Sequence, residues 1–187
     1  MHYLAALAPI AIALASPAVA ATLVVSGDTT GEPTYNRPVT TTALSGVGTD
    51  VNYEATGFSV DTSGSYSLEI TATGFPDGDS YLSLYSGSFD ASDPLTNLIA
   101  VDDDSGTDLL SLINFTLTAG TSYIAVVTSF DNGVFGTYDL TISGPGAITL
   151  AGGPAVPEPA AWALMIGGFG MVGGAMRRRQ TVKVTYA

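Results

Sequence analysis

The sequence predicts an all-β protein whose centre folds as an antiparallel β-sandwich or jelly roll. From about residue 22 to 150 the apolar residues recur at every second position, which is the period of a strand with one buried face. Clusters of Gly, Pro, Asp and Asn separate these runs at short intervals, as in sandwiches and barrels. No ten-residue segment there has the 3.6-residue period of an amphipathic helix. The length of 187 residues suits one such domain with additional terminal segments.

The N-terminal end has the pattern of a secretory signal peptide. Leu4–Ala15 is a continuous apolar run, and Ala18-Val19-Ala20 matches the small-x-small pattern that precedes a cleavage site. The segment before the run carries His2 but no Lys or Arg. We expect cleavage between Ala20 and Ala21, so that the mature chain begins at Ala21.

Alternating runs predict the strands of the central domain. The run YIAVVT is more continuously apolar than the others, which indicates a central strand buried on both faces. Turn signals such as Pro76-Asp77-Gly78-Asp79 and Asp131-Asn132-Gly133 separate the runs. The predicted strands cover Ser65–Ala72, Ser80–Tyr85, Ile113–Leu117, Tyr123–Thr128 and Thr137–Ile142.

One short pattern occurs twice in the central region. Phe58–Tyr66 and Phe115–Tyr123 both read as an aromatic residue, an aliphatic residue, a turn with Gly, and a Tyr that opens the next run. The pattern predicts the same tight hairpin between adjacent strands, used twice.

Charge and residue types exclude several function classes. Residues 21–156 contain 16 acidic residues and one basic residue, Arg37, for a net charge of −15. Such a surface repels phosphate backbones, which excludes nucleic acid as a partner. The chain has no Cys, and its single histidine, His2, lies in the predicted signal peptide. Disulfides, thiol or histidine catalysis and the common zinc sites are therefore excluded for the mature chain.

An aspartate-rich segment is the candidate metal site. Four carboxylates within seven residues, Asp102, Asp103, Asp104 and Asp108, repel one another unless they are solvated or bind a cation. Calcium, the candidate cofactor, is a hard ion that takes six to eight oxygen ligands. The spacing is not that of an EF-hand, so the site would be built from loops, with Asp77 and Asp79 as further ligands. The alternative is an exposed acidic loop without a metal.

Two weaker patterns concern carbohydrate. Aromatic rings stack on sugars, so Tyr35, Tyr53, Tyr81 and Tyr85 form a candidate sugar platform; the alternative is that they are ordinary strand residues facing the core. A pair of carboxylates would suit a glycosidase, but almost any two of the 16 acidic residues would satisfy that requirement.

The C-terminal end contains a second apolar run followed by a basic cluster. Residues 160–176 are apolar and rich in Gly, and Arg177, Arg178 and Arg179 follow at once. Seventeen helical residues span roughly 25 Å, a little less than the ~30 Å hydrocarbon core. The arginines stay on the cytoplasmic side, so we expect one transmembrane helix with the domain outside. Trp162 occupies the place of an interfacial anchor.

This end of the chain resembles a known bacterial sorting signal. The order Pro157-Glu158-Pro159, then Trp162 within a short Gly-rich apolar helix, then the arginine cluster, is similar to the PEP-CTERM signal in its variant with Trp-Ala. The resemblance implies an exosortase of the inner membrane as processing partner. It also implies transient anchoring in that membrane, export to the cell surface, and association with exopolysaccharide and biofilm matrix.

The central region resembles a second group of bacterial proteins. Phe58–Ile142 is similar to pre-peptidase C-terminal domains and related surface β-sandwiches, through segments such as Ser80–Tyr85, Leu98–Asp104 and Gly136–Leu140. This resemblance implies a non-catalytic accessory module. Some relatives of this kind bind calcium, polysaccharide or another macromolecule.

These observations define the expected organisation of the chain. The segments are a signal peptide (1–20), a β-sandwich (21–150), a linker (151–156), the sorting signal (157–179) and a cytoplasmic tail (180–187). We expect a secreted, exosortase-processed surface or matrix protein without enzymatic activity. A calcium- or carbohydrate-binding module is the alternative, and a glycosidase-like enzyme is the third hypothesis.

Overall fold

The computed structural model describes residues 20–151, and all regular structure in this range is β-strand. The predicted signal peptide up to residue 19, the sorting signal, the transmembrane helix and the cytoplasmic tail lie outside the described residues. Between residues 20 and 151 there is no helix with the length and hydropathy needed to cross a membrane. The strands are β1 (Ala21–Asp28), β2 (Thr34–Tyr35), β3 (Pro38–Thr40), β4 (Ala43–Leu44), β5 (Val51–Val60), β6 (Gly64–Thr73), β7 (Ser80–Ser86), β8 (Leu98–Asp102), β9 (Leu112–Leu117), β10 (Ser122–Ser129), β11 (Thr137–Gly144) and β12 (Ile148–Leu150).

The strands form two antiparallel sheets that pack face to face. Sheet I has the order β1-β11-β6-β9, and sheet II has the order β12-β5-β10-β7-β8, with β2 added to β5. Strands β3 and β4 form a separate small hairpin. All the pairings are antiparallel. The predicted all-β antiparallel sandwich is confirmed.

The core between the sheets consists of the alternating apolar residues. Leu68 and Ile70 of sheet I and Leu82 and Leu84 of sheet II are fully buried there, while their polar neighbours point away. The core comprises Phe58, Val60, Tyr66, Leu68, Ile70, Leu82, Leu84, Ile113, Leu117, Tyr123, Ala125, Val127, Tyr138, Leu140 and Ile142. Burying each aliphatic side chain contributes about 1.5–3 kcal/mol, which is the main force that holds the sheets together.

A second, smaller core covers the outer face of sheet II. Val51, Tyr85 and Val126 are buried there with Tyr35, and Phe89 packs against them from the segment after β7. The Tyr85 hydroxyl donates a hydrogen bond to the Pro94 carbonyl (2.9 Å), which fastens this segment over the sheet. Strands β7 and β10 are therefore buried on both faces, as the continuous apolar run of β10 predicted.

The repeated aromatic–turn–tyrosine pattern does not form hairpins, and the sequence prediction on this point is wrong. The turn at 61–63 leads from β5 in sheet II to β6 in sheet I, and the turn at 118–121 leads from β9 in sheet I to β10 in sheet II. Both connections are arches between the sheets. They lie side by side, because β6 pairs with β9 and β5 pairs with β10. Alternation shows that a run is a strand but does not identify the sheet to which the next strand belongs.

The order of sheet II brings three loops together at one end of the sandwich. Strand β7 begins at Ser80, its neighbour β8 ends at Asp102, and its other neighbour β10 ends at Ser129. Because adjacent strands run in opposite directions, the residues before β7 and after β8 and β10 emerge at the same end. Five of the six candidate metal ligands lie in these loops, and Asp102 is the last residue of β8.

Candidate functional site

The structure brings three of the predicted aspartates into one cluster. Asp79 directly precedes β7, and Asp103 and Asp104 directly follow β8. One carboxylate oxygen from each of the three lies within 4.8 Å of those of the other two. We call these three residues the acidic cluster; Asp79 and Asp103 are partly buried, and Asp104 is exposed.

Burial and mutual repulsion perturb the acidic cluster. Burial, followed by the charges of Asp103 and Asp104, raises the pKa of Asp79 to about 6. Burial and the charge of Asp104 also raise the pKa of Asp103, against the lowering effect of Arg37. The Oδ1 atoms of Asp79 and Asp103 are shielded from solvent and have no hydrogen-bond partner within residues 20–151. The cluster therefore favours a bound proton or cation.

Asp102 has a different role from the one predicted. Its Oδ1 accepts a hydrogen bond from the Ser105 hydroxyl, and its Oδ2 accepts from the backbone N–H groups of Ser105 (3.1 Å) and Leu112 (2.7 Å). Asp102 thus holds the ends of the loop that follows β8 and does not belong to the acidic cluster.

Asp108 and Asp77 also lie apart from the cluster. Asp108 is exposed and has a backbone φ of 57°, in the left-handed region that Asp tolerates better than most residues. The Asp77 carboxylate accepts a hydrogen bond from the Asp79 N–H (3.1 Å) and shapes the turn before β7. Of the six predicted metal ligands, Asp79, Asp103 and Asp104 meet, and Asp77, Asp102 and Asp108 do not.

A buried arginine beside the cluster was missed as a site residue. Arg37 is completely buried, with its guanidinium 3.9 Å from the ring centroid of Tyr81 and 4.5 Å from that of Phe130. Its Nε and Nη2 donate to the Phe130 carbonyl (3.2 and 3.0 Å), and its Nη1 donates to the Pro38 carbonyl (3.4 Å). The sequence contained a clue to its importance, because Arg37 is the single basic residue among residues 21–156.

The cluster has the chemistry of a site for a hard cation. Three carboxylates supply oxygen ligands of the kind that calcium prefers, and backbone carbonyls or water would complete its coordination. A cation would also relieve the repulsion among the three aspartates. The positive charge of Arg37 disfavours cation binding, since it already offsets part of the negative charge at Asp103.

The predicted tyrosine platform for sugar is wrong. Tyr35, Tyr81 and Tyr85 are 5%, 3% and 0% exposed, so their ring faces are unavailable for stacking. Tyr53 is partly exposed, but its ring makes edge contacts with Tyr35 and Phe89 (centroids 4.9 and 5.2 Å apart). These tyrosines are part of the smaller core and the Arg37 pocket, as the alternative hypothesis held.

The outer face of sheet I is rich in hydroxyl groups. The Thr71 and Thr141 hydroxyls are 3.0 Å apart on neighbouring strands, and the Ser26 hydroxyl donates to Asp139. A shallow groove of about 510 Å³ adjoins this face and is lined in part by Asp28, Thr73 and Tyr138. We call the following residues the hydroxyl face: Thr22, Ser26, Ser67, Thr71, Thr116, Thr141 and Ser143.

The predicted signal cleavage site adjoins the first strand. Ala21 is the first residue of β1 and pairs with Gly144, and Ala20 is exposed and precedes the strand. Cleavage after Ala20 would therefore leave every residue of β1 in place. The predicted processing residues Pro157, Glu158, Pro159 and Trp162 and the arginines at 177–179 lie outside the described residues.

Comparison with known proteins identifies the C-terminal segment. Residues 155–180 match the PEP-CTERM protein-sorting motif, and this match covers all the sorting residues predicted from the sequence. The motif implies an exported protein that is anchored transiently in the membrane, processed by an exosortase and displayed at the cell surface. No curated protein matches the chain. The resemblance of the central region to pre-peptidase C-terminal domains stays a prediction.

Proposed function

We propose that this exosortase substrate is a non-catalytic matrix protein whose β-sandwich associates with exopolysaccharide at the cell surface. The observation that carries the proposal is the PEP-CTERM motif, which follows within a few residues of a folded, strongly acidic sandwich. Export to the cell surface would give the domain access to exopolysaccharide outside the cell. Residues 21–187 contain neither Cys nor His, which supports a binding role over catalysis.

The hydroxyl face supports this proposal chemically. Its Ser and Thr side chains both donate and accept hydrogen bonds, as polysaccharide hydroxyls do. They lie on four neighbouring strands, so an extended sugar chain would meet several of them at once. The adjoining groove adds the carboxylates of Asp28 and Asp139 and the hydroxyl of Thr73. Hydrogen bonding across the face of sheet I would replace the aromatic stacking that the buried tyrosines cannot provide.

A binding experiment tests the proposal. The exopolysaccharide of the exporting host is immobilised, and retention of the processed chain is compared with that of a Thr71→Val, Thr141→Val double variant. Valine keeps the β-branched shape but removes both hydroxyls, so we expect weaker retention with an unchanged melting temperature. Thr40→Val, on the separate β3–β4 hairpin, is the control and should bind normally. Equal retention of all three proteins, or none by the unaltered chain, would contradict the proposal.

Calcium binding at the acidic cluster is the second candidate function. The specific observation in its favour is the convergence of Asp79, Asp103 and Asp104 from two loops, with two carboxylate oxygens that lack a hydrogen bond. Calcium would be the cofactor of such a module, and a secreted protein meets it at high concentration. The two functions are compatible, because the acidic cluster lies at the end of sheet II and the hydroxyl face lies on sheet I.

A further inference from the structure

Strand β1 forms an edge of sheet I, and half of its main-chain hydrogen-bonding groups point away from the sheet. It pairs with β11 alone among the described strands. Hydrogen bonding alternates along an antiparallel strand. The Thr29 N–H donates to the Gly136 carbonyl (2.9 Å). The main-chain N–H and C=O groups of the odd-numbered residues of β1 therefore point toward β11, and those of the even-numbered residues point away from the sheet.

The outward-facing groups are those of Thr22, Val24, Ser26 and Asp28. The Asp28 N–H is already satisfied, because it donates to Glu54 Oε2 (3.0 Å) from the opposing sheet. This bond confirms that the N–H of an even-numbered residue points away from β11. It also occupies the outward-facing N–H at the Asp28 end of the strand. Within residues 20–151, the stretch without a pairing partner on this edge is 21–27, which begins at the residue that the predicted signal cleavage would make the N-terminus.

This edge lacks the usual protection against pairing. Residues 21–27 contain no charged side chain and no proline, and their pairing with β11 has no register shift. Val24 is 56% exposed at the centre of the stretch. An uncharged, regular edge with an exposed valine is unusual in a domain of net charge −15, where most surfaces would repel a second copy.

We propose that β1 pairs in antiparallel fashion with β1 of a second copy, about a twofold axis at Val24. Two copies can form main-chain hydrogen bonds only if residues whose N–H and C=O groups point outward lie opposite each other. The register centred on Val24 meets this condition and pairs the whole of residues 21–27. It pairs Val24 with Val24 and Thr22 with Ser26 of the second copy, and it joins the two four-stranded sheets into one. Main-chain bonds provide the attraction, and the two exposed valines cover each other.

The same register provides charge complementarity at both ends. Residue 28 lies opposite position 20 of the second copy, so the Asp28 carboxylate would be next to the α-ammonium group that the predicted cleavage would create at Ala21. This opposite charge favours a second copy of the mature chain as the occupant of the edge. The inference does not depend on polysaccharide or calcium binding.

Cysteine cross-linking of the exported, processed chain tests both the pairing and its register. The chain has no Cys, so each introduced cysteine is the single thiol present. Directly paired residues lie about 5.5 Å apart, within the reach of a disulfide. Val24→Cys should therefore form a covalent dimer under mild oxidation.

Thr22→Cys and Ser26→Cys are matched controls on the same strand. In the proposed register two copies of position 22 are separated by four residues, roughly 13 Å, too far for a disulfide. Each control alone should form no covalent dimer, and the two mixed together should cross-link. Absence of a covalent dimer for Val24→Cys would overturn the proposal, and this is also the result expected if another segment of the same chain covers the edge. Equal cross-linking of all three single variants would also overturn it, since that indicates random collision.

Sedimentation of the unaltered processed chain provides a readout without a disulfide. We expect a dimer that strengthens with added salt, because salt screens the repulsion between two acidic domains. Val24→Lys places two like charges opposite each other and should weaken association about tenfold, equivalent to about 1.4 kcal/mol. Circular dichroism verifies that the variant keeps its fold. An unaltered chain that is monomeric at every salt concentration would overturn the proposal.

Discussion

At the scale of single residues, the guanidinium of Arg37 is a positive charge that is completely buried in the domain. A charge is stable in a protein interior when its donors are satisfied and its surroundings are polarisable. Here two carbonyls accept its N–H groups, and the Tyr81 and Phe130 rings lie against it. Arg37 thereby fixes the loop after β10 to the segment before β3, next to the acidic cluster.

Removing the Arg37 side chain should destabilise the domain strongly. Arg37→Ala leaves a cavity and deprives the Phe130 carbonyl of its donors, for an expected loss of about 3 kcal/mol in unfolding free energy. Arg37→Lys keeps the charge but not the planar fork, so it should lose less. Urea denaturation measures both values. A loss below about 0.5 kcal/mol for Arg37→Ala, the range of surface substitutions, would contradict this view of the pocket.

The calcium hypothesis predicts a difference between two nearby aspartates. A ligand present at ten times its Kd adds about 1.4 kcal/mol of stability, or roughly 3–6 °C in Tm for a domain of this size. Asp104→Ala should abolish this gain, whereas Asp108→Ala, in the same loop but outside the cluster, should keep it. Thermal melts in calcium, magnesium or chelator decide the matter. If magnesium acts like calcium, or Asp104→Ala retains the gain, the loop is only a solvated acidic segment.

The raised pKa of Asp79 predicts how stability depends on pH without calcium. The folded-state pKa of Asp79, about 6, exceeds its unfolded value. The protonated Asp79 therefore contributes fully to the free energy of unfolding below pH 4, and this contribution is lost as pH rises through 6. Asp79→Asn should remove this dependence and stabilise the domain at pH 7 by about 1 kcal/mol, allowing for solvent screening. Denaturation at pH 5 and pH 7 in chelator measures it. A variant that is less stable than the original chain at pH 7 would contradict the assignment.

At the scale of elements, each of the two arches between the sheets is held by a hydrogen bond to a tyrosine hydroxyl. The Tyr66 hydroxyl donates to the Thr62 carbonyl (2.8 Å), and the Tyr123 hydroxyl accepts from the Thr118 N–H (2.9 Å). Each tyrosine opens a strand and folds back onto the turn that precedes it. The repeated sequence pattern therefore has a structural meaning, although the element it encodes is an arch and not a hairpin.

Removing each hydroxyl should weaken the arches measurably. Tyr66→Phe and Tyr123→Phe each lose one hydrogen bond and leave a backbone group unsatisfied, for an expected cost of about 1 kcal/mol. Tyr53→Phe is the control, because that ring is partly exposed, and we expect a change near zero. Chemical denaturation gives all three values. Equal effects in the three variants would show that the hydroxyl bonds to the arches contribute nothing specific.

At the scale of the whole molecule, folding and sorting are encoded in separate parts of the chain. The sandwich needs residues 21–150 for its strands and core, and the sorting motif occupies 155–180. Variants in the motif should therefore change the fate of the chain without changing the fold of the domain.

Sorting variants test this separation directly. Glu158→Ala, or neutral residues at 177–179, should block processing and leave the precursor in the inner membrane. The melting temperature of the sandwich should stay the same, because the substituted residues lie outside it. Immunoblots of cell fractions measure size and location. Normal processing and surface display of both variants would contradict the role assigned to these residues.

The sequence by itself determined what depends on local order along the chain. Strand alternation, the central position of Tyr123–Thr128, and the order of the sorting motif were all readable, since each is a pattern of neighbouring residues. Sequence also indicated an aspartate-rich site near Asp102–Asp108 and named Asp79 as a further ligand.

Tertiary structure alone decided which residues meet. Strand pairing across sheet II brings Asp79 to Asp103 and Asp104, while hydrogen bonds to the loop occupy Asp102. It also makes the predicted hairpins arches, and it places the tyrosines of the candidate sugar platform in the smaller core and beside Arg37. The physical reason is that spacing along the chain determines which face of a strand a side chain occupies. The sheet that a strand joins, and therefore what each face meets, depends on contacts between residues far apart in sequence.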